Sequence, residues 1–205
     1  MAESLESFKS YIGKSETATD VVTASVMLKF AATLGLERAP LDKGEPVPPG
    51  WHGGFFPPSH WQAQMREDGQ VSGGSLIPAI PLPRRRIGGN RTTFHEPLRV
   101  GDEIKKVTEI ADIRIDDGPS GAMVTVIEKN SITSSRGLAV VEERDLVLLS
   151  EARAGAAPKA SPTVPTEAKW KRVFEHKAAL FFRFSAIRFN SHRIHYDRDY
   201  VTKVE

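Results

Sequence analysis

The sequence contains no cysteine, which excludes a disulfide framework, a thiolate nucleophile and a cysteine-based zinc site. It also lacks any run of the roughly 18 or more consecutive apolar residues that a membrane span requires. Its first residues, MAESLESFKSYIGKSE, have neither the basic start nor the apolar centre of a secretory signal. A soluble, cytoplasmic protein is the resulting expectation, with no membrane partner. Charge of one sign is scarce as well: 28 Lys and Arg stand against 26 Asp and Glu, a net charge of +2. That is too little for a nucleic-acid binder, although it allows a local basic patch for an anionic ligand. What is present is ordinary for a globular chain, 40% apolar and 26% charged over 205 residues, so disordered and collagen-like classes are excluded. Domains usually run to roughly 100–200 residues, so one full domain and part of another are expected.

Along the chain, residues 11–19 suggest a short strand. From Val22 onward, Val22, Val26, Phe30 and Leu34 recur at helical spacing. They predict a helix over about 21–34, with Asp20 or Thr23 as N-cap and Gly35 as C-cap. From Pro40 to Gly89 the chain is crowded with Pro and Gly, which excludes regular helix and most central strand. Its large apolar residues, Trp51, Phe55, Phe56, Trp61, Leu76, Ile77, Ile80 and Leu82, do not fit a solvated linker. Two readings stand: a functional lid or binding segment, and an Ω-like loop that caps a core.

Strand texture follows in NRTTFHEPL, GDEIKKVTEIADIRI, GAMVTVIEKNSIT and GLAVVEERDLVLL, the last three separated by the turn clusters DDGPS and SSRG. Three long segments joined by short turns predict an antiparallel meander, and one helix packed on it gives an α+β arrangement. Residues 151–167, rich in small residues and Pro, read as a linker. The 38 residues after it are too few to close a core alone. The expected organisation is therefore a domain at 1–150, a linker at 151–167 and a partial second unit at 168–205.

Chemistry concentrates in FNSHRIHYDRDY, which brings together Asn190, His192, His195, Tyr196 and Asp197. Histidine suits proton transfer because its ordinary pKa of about 6.5 lies near working pH. If the segment enters a helix, His195 and Asp199 share a face, and backbone N–H groups at the helix start can hold an oxyanion. The competing reading is a set of structural histidines satisfied by hydrogen bonds. A metal on His192, His195 and Asp197 is disfavoured, since the spacing is looser than the usual i, i+4 pair and no third ligand is fixed. Arg84, Arg85 and Arg86 stand in a row beside glycines, suited to phosphate contact or to a solvated face. His95, Glu96, Gly101 and Asp102 read as turn chemistry.

The stretches GGFFPPSHW, GGSLIPAIPLPRRRIGG, FHEPLRVGD, VVEERDLVLL and FFRFSAIRFNSHRIHYD resemble a family of MaoC-like double hot-dog hydratases and dehydratases with a fungal-fatty-acid-synthase-type N-terminal dehydratase domain. The resemblance covers nearly the whole chain from about residue 11. It implies a hot-dog fold, a curved antiparallel sheet wrapped around a helix, with the first hot dog complete and the second partial. It also implies that the first hot dog shapes the acyl pocket and the second carries the catalytic helix. Sliding the wider family's Asp-x-Asn-Pro-x-His motif onto this chain puts His195 at the catalytic histidine and Asn190 at the aspartate. His192 then falls at the motif's asparagine and Arg193 at its proline.

Asn190 cannot act as a base, so its role reduces to orienting water. His195 becomes the main acid/base, and Asp197 a candidate replacement carboxylate. The implied activity is that of an acyl-CoA hydro-lyase: hydration of a 2-enoyl-CoA, or dehydration of a 3-hydroxyacyl thioester. A branched C4–C5 dicarboxylic acyl-CoA such as mesaconyl-C4-CoA is one candidate substrate. No metal or redox cofactor is implied, and a homodimer is. Substrate contacts fall to Arg84, Arg85 and Arg86, at the CoA phosphates or a substrate carboxylate, and to Trp51, Phe55, Phe56 and His192. The rival readings are a non-catalytic acyl-CoA-binding or partner subunit and a hot-dog thioesterase.

Overall fold

The computed structural model describes residues 4–58, 60–71, 76–118, 121–151, 167–171, 173, 175 and 177–203. The polypeptide enters through a 3-10 turn at Leu5–Tyr11 and strand β1 (Ser15–Val21). It then forms helix α1 (Ala24–Leu34). Four strands follow: β2 (Arg84–Phe94), β3 (Glu103–Gly118), β4 (Gly121–Ser134) and β5 (Gly137–Leu149). With β1 they build one antiparallel five-stranded sheet in the order β1-β3-β4-β5-β2. The β3–β4–β5 meander is the one the turn clusters predict. β2, which precedes it in sequence, comes back to the far edge beside β5.

Two boundaries differ from expectation. The first strand starts at Ser15 rather than residue 11, because the preceding residues wind into the 3-10 turn that buries Phe8 on the sheet. The second is at the arginine row, which is not loop: it opens β2, with Arg84, Arg85 and Arg86 paired to Leu149, Leu148 and Val147. Side chains alternate across a strand, so Arg84 and Arg86 share one face and Arg85 takes the other. Three arginines in a row therefore cannot grip one phosphate group together.

α1 stops where Gly35 turns left-handed, at φ 66°. The helix buries Met27, Phe30 and Ala31 on the sheet, with Val26 and Leu34 packed at the edge. Val22 is fully buried too, but at the strand–helix junction rather than within the helix. Trp51 and Phe55, expected to line a pocket, lie in this same core at 8% and 6% exposure. Trp51 stacks on Phe30 at 5.2 Å. A second apolar cluster surrounds Ile110, Ile113, Val124, Val126 and Leu146, and takes Leu76 and Ile80 from the Pro/Gly segment. The described part of that segment thus caps both clusters.

Between the clusters the sheet is polar. Thr108, Asn130 and Glu142 stand side by side across β3, β4 and β5, and the buried Thr108 hydroxyl donates to Asn130 Oδ1 at 2.7 Å. Glu142 Oε1 accepts from Asn90 Nδ2 at 2.8 Å, with His52 Nε2 at 4.0 Å. His52 first and Asn90 next, acting against burial, hold the Glu142 carboxyl down to about 2. A depressed carboxyl contributes stability above its unfolded pKa and loses it as pH falls through the folded value. Acidification from about 4.5 to about 2 should therefore remove on the order of 2 kcal/mol at this one group. Urea midpoints measured across that range should fall in the unsubstituted protein. In Glu142→Gln they should start lower at pH 7 and change less.

The C-terminal segment forms α2 (Ala178–Ile187), a 3-10 turn at Arg193–His195 and α3 (Arg198–Lys203). It docks on α1: Phe184 meets Phe30 edge-on at 6.3 Å, and Ile187 joins the first cluster. The linker expected at 151–167 lies almost wholly outside the described residues. Among the described residues no helix is long and apolar enough to cross a membrane.

Candidate active site at the histidine turn

Phe189 ends α2 with a left-handed backbone, φ 49°. Its N–H bonds Ala186 O, and the Asn190 N–H reaches back to Ser185 O at 2.9 Å. This is the Schellman closure, made here without glycine. The reversal throws Asn190, His192 and His195 into one tight turn. Asn190 Oδ1 accepts from the His192 N–H at 3.1 Å, so the amide face left for other work is its NH2. His192 and His195 meet edge to face at 5.9 Å, and Phe181 stands against His195 at 5.4 Å. All three polar residues are half-buried.

Asp197 sits elsewhere in the network. Its Oδ1 accepts from the Tyr200 N–H at 3.0 Å and caps α3, and its Oδ2 accepts from Arg193 Nε at 2.8 Å. The Tyr200 amide, then Arg193, hold its carboxyl below the usual range, which suits a helix cap and not a proton acceptor. The helix start expected to hold an oxyanion is therefore already occupied by this aspartate. Among the described residues no group of three His, Asp or Glu is placed to hold a metal ion.

Sequence reasoning missed the partner of this turn. A loop at 66–71 clamps it by backbone and side chain. Asp68 O accepts from the Arg193 N–H, and Gly69 O accepts from Ser191 Oγ, both at 2.8 Å. Gln70 Nε2 lies 2.7 Å from His192 Nε2 and 3.3 Å from Nδ1. Behind it, Arg85 donates to Gln70 Oε1 at 3.5 Å. Inside the loop, buried Asp68 accepts from Gln70 N at 2.9 Å and pairs with Arg66 at 2.7 Å. In the sequence, REDGQ is only part of the Pro/Gly-crowded segment at 40–89, and nothing in it shows what these residues touch.

Of the expected site residues, Asn190, His192 and His195 come together, and Arg85 joins them through Gln70. Arg84 and Arg86 are exposed and alternate to the opposite side of β2. Trp51 and Phe55 are core. Phe56 lines a separate cavity of about 520 Å³ with Lys106, Thr108 and His60.

A family model described as hydroxyacyl-thioester dehydratase type 2 matches residues 50–205. Mesaconyl-C(4)-CoA hydratase of Chloroflexus aurantiacus is 35% identical over 195 residues, 95% of this chain and 70% of that protein. Two solved structures share the fold at low identity. A MaoC-like dehydratase from Phytophthora capsici is 12% identical with a TM-score of 0.55, over 98% of this chain and 67% of its own. HtdX of Mycobacterium tuberculosis is 16% identical with a TM-score of 0.54, over 91% and 68%. The five-stranded sheet around α1 is thus a hot dog, and the chain belongs to the hydroxyacyl-thioester dehydratase type 2 family of hydro-lyases.

Proposed function

We propose that the protein adds water reversibly across the α,β double bond of a 2-enoyl-CoA thioester, with His195 as acid and base. In the forward direction the imidazole takes a proton from water while the hydroxyl oxygen bonds to the β-carbon. The electron pair of the double bond moves towards the thioester carbonyl, and the proton returns to the α-carbon. The Asn190 NH2, left open by the turn, is the donor for water or for the carbonyl oxygen as it gains charge. Because the thioester itself acidifies the α-position, the reaction calls for no cofactor. The observation that carries this reading is Asn190 and His195 on one half-buried turn in a chain of this family.

The named relative, a mesaconyl-C(4)-CoA hydratase, supports a branched C4–C5 dicarboxylic acyl-CoA such as mesaconyl-C4-CoA as substrate. Arg84 and Arg86, exposed on the face away from Gln70, suit the CoA phosphates better than Arg85 does. Residues 1–150 form the first hot dog in this reading, 151–167 the linker and 168–205 the opening of the second. A cytoplasmic homodimer completes it: among the described residues the outer strands β1 and β2 each pair on one side only, which suits edge-to-edge pairing with a second copy.

An amide at position 190 is also what an acyl-CoA-binding subunit without activity would tolerate, so the test separates three outcomes. Hydration of crotonyl-CoA and of mesaconyl-C4-CoA is followed by loss of enoyl-thioester absorbance, with free CoA measured in parallel. We expect hydration without CoA release, faster with mesaconyl-C4-CoA. Binding with no turnover would mean a carrier or partner subunit, and release of CoA a thioesterase.

A further inference from the structure

We infer that Gln70 is a positioning residue for the histidine pair, holding His192 in its uncharged form. This deepens the hydratase reading and rests on it for the role of His195. The chemistry of the three side chains sets the orientation. A guanidinium has donors only, so the atom Gln70 turns to Arg85 is its carbonyl oxygen, as found at 3.5 Å. The amide NH2 then faces His192, 2.7 Å from Nε2. The same nitrogen is 3.3 Å from Nδ1, so it sits over the ring face near Nε2 rather than along a lone pair. An N–H directed at that face is accepted by a neutral ring and repelled by a charged one. An imidazolium there would set its charge against the positive end of the amide and against Arg85 behind it.

The consequence falls on the neighbouring ring. His195 stands 5.9 Å from His192, and a positive charge on His192 would oppose proton uptake by His195. The clamp thus keeps one imidazole uncharged while the other cycles. Among the described residues, the charged groups near the pair fit this arrangement. On its own segment Arg193 is tied to Asp197, and on the clamping loop Arg66 is tied to Asp68. On β2, Arg85 faces Gln70, with Arg144 of β5 and then Glu128 of β4 acting on its charge.

The test uses the full chain with two variants of similar side-chain volume, Gln70→Glu and Gln70→Met. Ring resonances of His192 are followed against pH by NMR, alongside pH profiles of kcat and kcat/KM. With Gln70→Glu, a carboxylate replaces the donor, and His192 should titrate about one unit or more higher than in the unsubstituted protein. The acid limb of kcat/KM should move the same way. With Gln70→Met, the donor is lost, and kcat should fall roughly tenfold with KM nearly unchanged. Identical His192 titrations in all three proteins would overturn the inference, as would an unchanged kcat in Gln70→Met. If the methionine variant fails to fold, the near-isosteric glutamate variant decides. A titration that moves in a protein hydrating no enoyl-CoA leaves the clamp standing and defeats the hydratase reading instead.

Discussion

Replacing His195 with alanine should lower kcat for enoyl-CoA hydration by about 10³-fold, within the range a general acid–base group contributes. The turn offers no substitute for it. Asn190 is an amide, and Asp197 is held ionised by Tyr200 and Arg193 as the cap of α3. His192, the nearest other imidazole, has its Nε2 against an amide donor. KM should change little, because the ring acts on the proton and not on the CoA moiety. The fold should survive as well, since His195 is only half-buried and its ring leans on Phe181 rather than on either apolar cluster. Steady-state rates on crotonyl-CoA and mesaconyl-C4-CoA, with thermal unfolding as the control for folding, give the answer. Undiminished turnover in His195→Ala would remove the proposed chemistry. A comparable loss in Asp197→Asn, without loss of stability, would move the proton to the carboxylate instead.

The parts of this molecule that sequence makes legible are those whose physics is local. The helix follows from apolar spacing and from Gly35, whose missing side chain permits the left-handed stop. The meander follows from period-two texture between turn clusters, and the structure returns the same three strands. The arginine row was hidden by its neighbours. Pro and Gly on either side made 40–89 look uniformly irregular, whereas only a strand explains why Arg85 faces Gln70 while Arg84 and Arg86 do not. Trp51 and Phe55, which the family resemblance assigns to substrate contact, pack under α1 and belong to the core.

The histidine turn was legible as chemistry because its residue types crowd into one short run. Its support was not. The residue that meets His192 lies 122 positions earlier in the chain, and no periodicity links a surface turn to a partner at that distance. Local pattern reports which residues can react. Only tertiary contact reports which residues hold them still.

That division makes Gly69→Ala a sharp test of the clamp. Gly69 adopts φ +74°, and a Cβ built there would lie 1.9 Å from Ser191 O, 2.7 Å from its carbonyl carbon and 3.4 Å from His192 Cα. Those are backbone atoms, which cannot swing aside as the end of a long side chain can. One methyl group must therefore push the loop off the turn. With it go the bonds from Arg193 N to Asp68 O and from Ser191 Oγ to Gly69 O, and the Gln70–His192 contact. Misplacement of a reacting group by about 1 Å costs on the order of 100-fold in rate, so kcat should fall by at least that much. Both apolar clusters lie clear of these bonds, so the sheet should keep a single cooperative melt. Hydrogen exchange at residues 190–196 should accelerate while β4 and β5 stay protected. Gly44→Ala serves as the control: its φ is +88°, yet nothing lies within 4 Å of a Cβ there. It carries a similar backbone strain and should leave kcat unchanged. Equal activity in the two variants would mean that the loop and the histidine turn work independently, and that the clamp is only a contact.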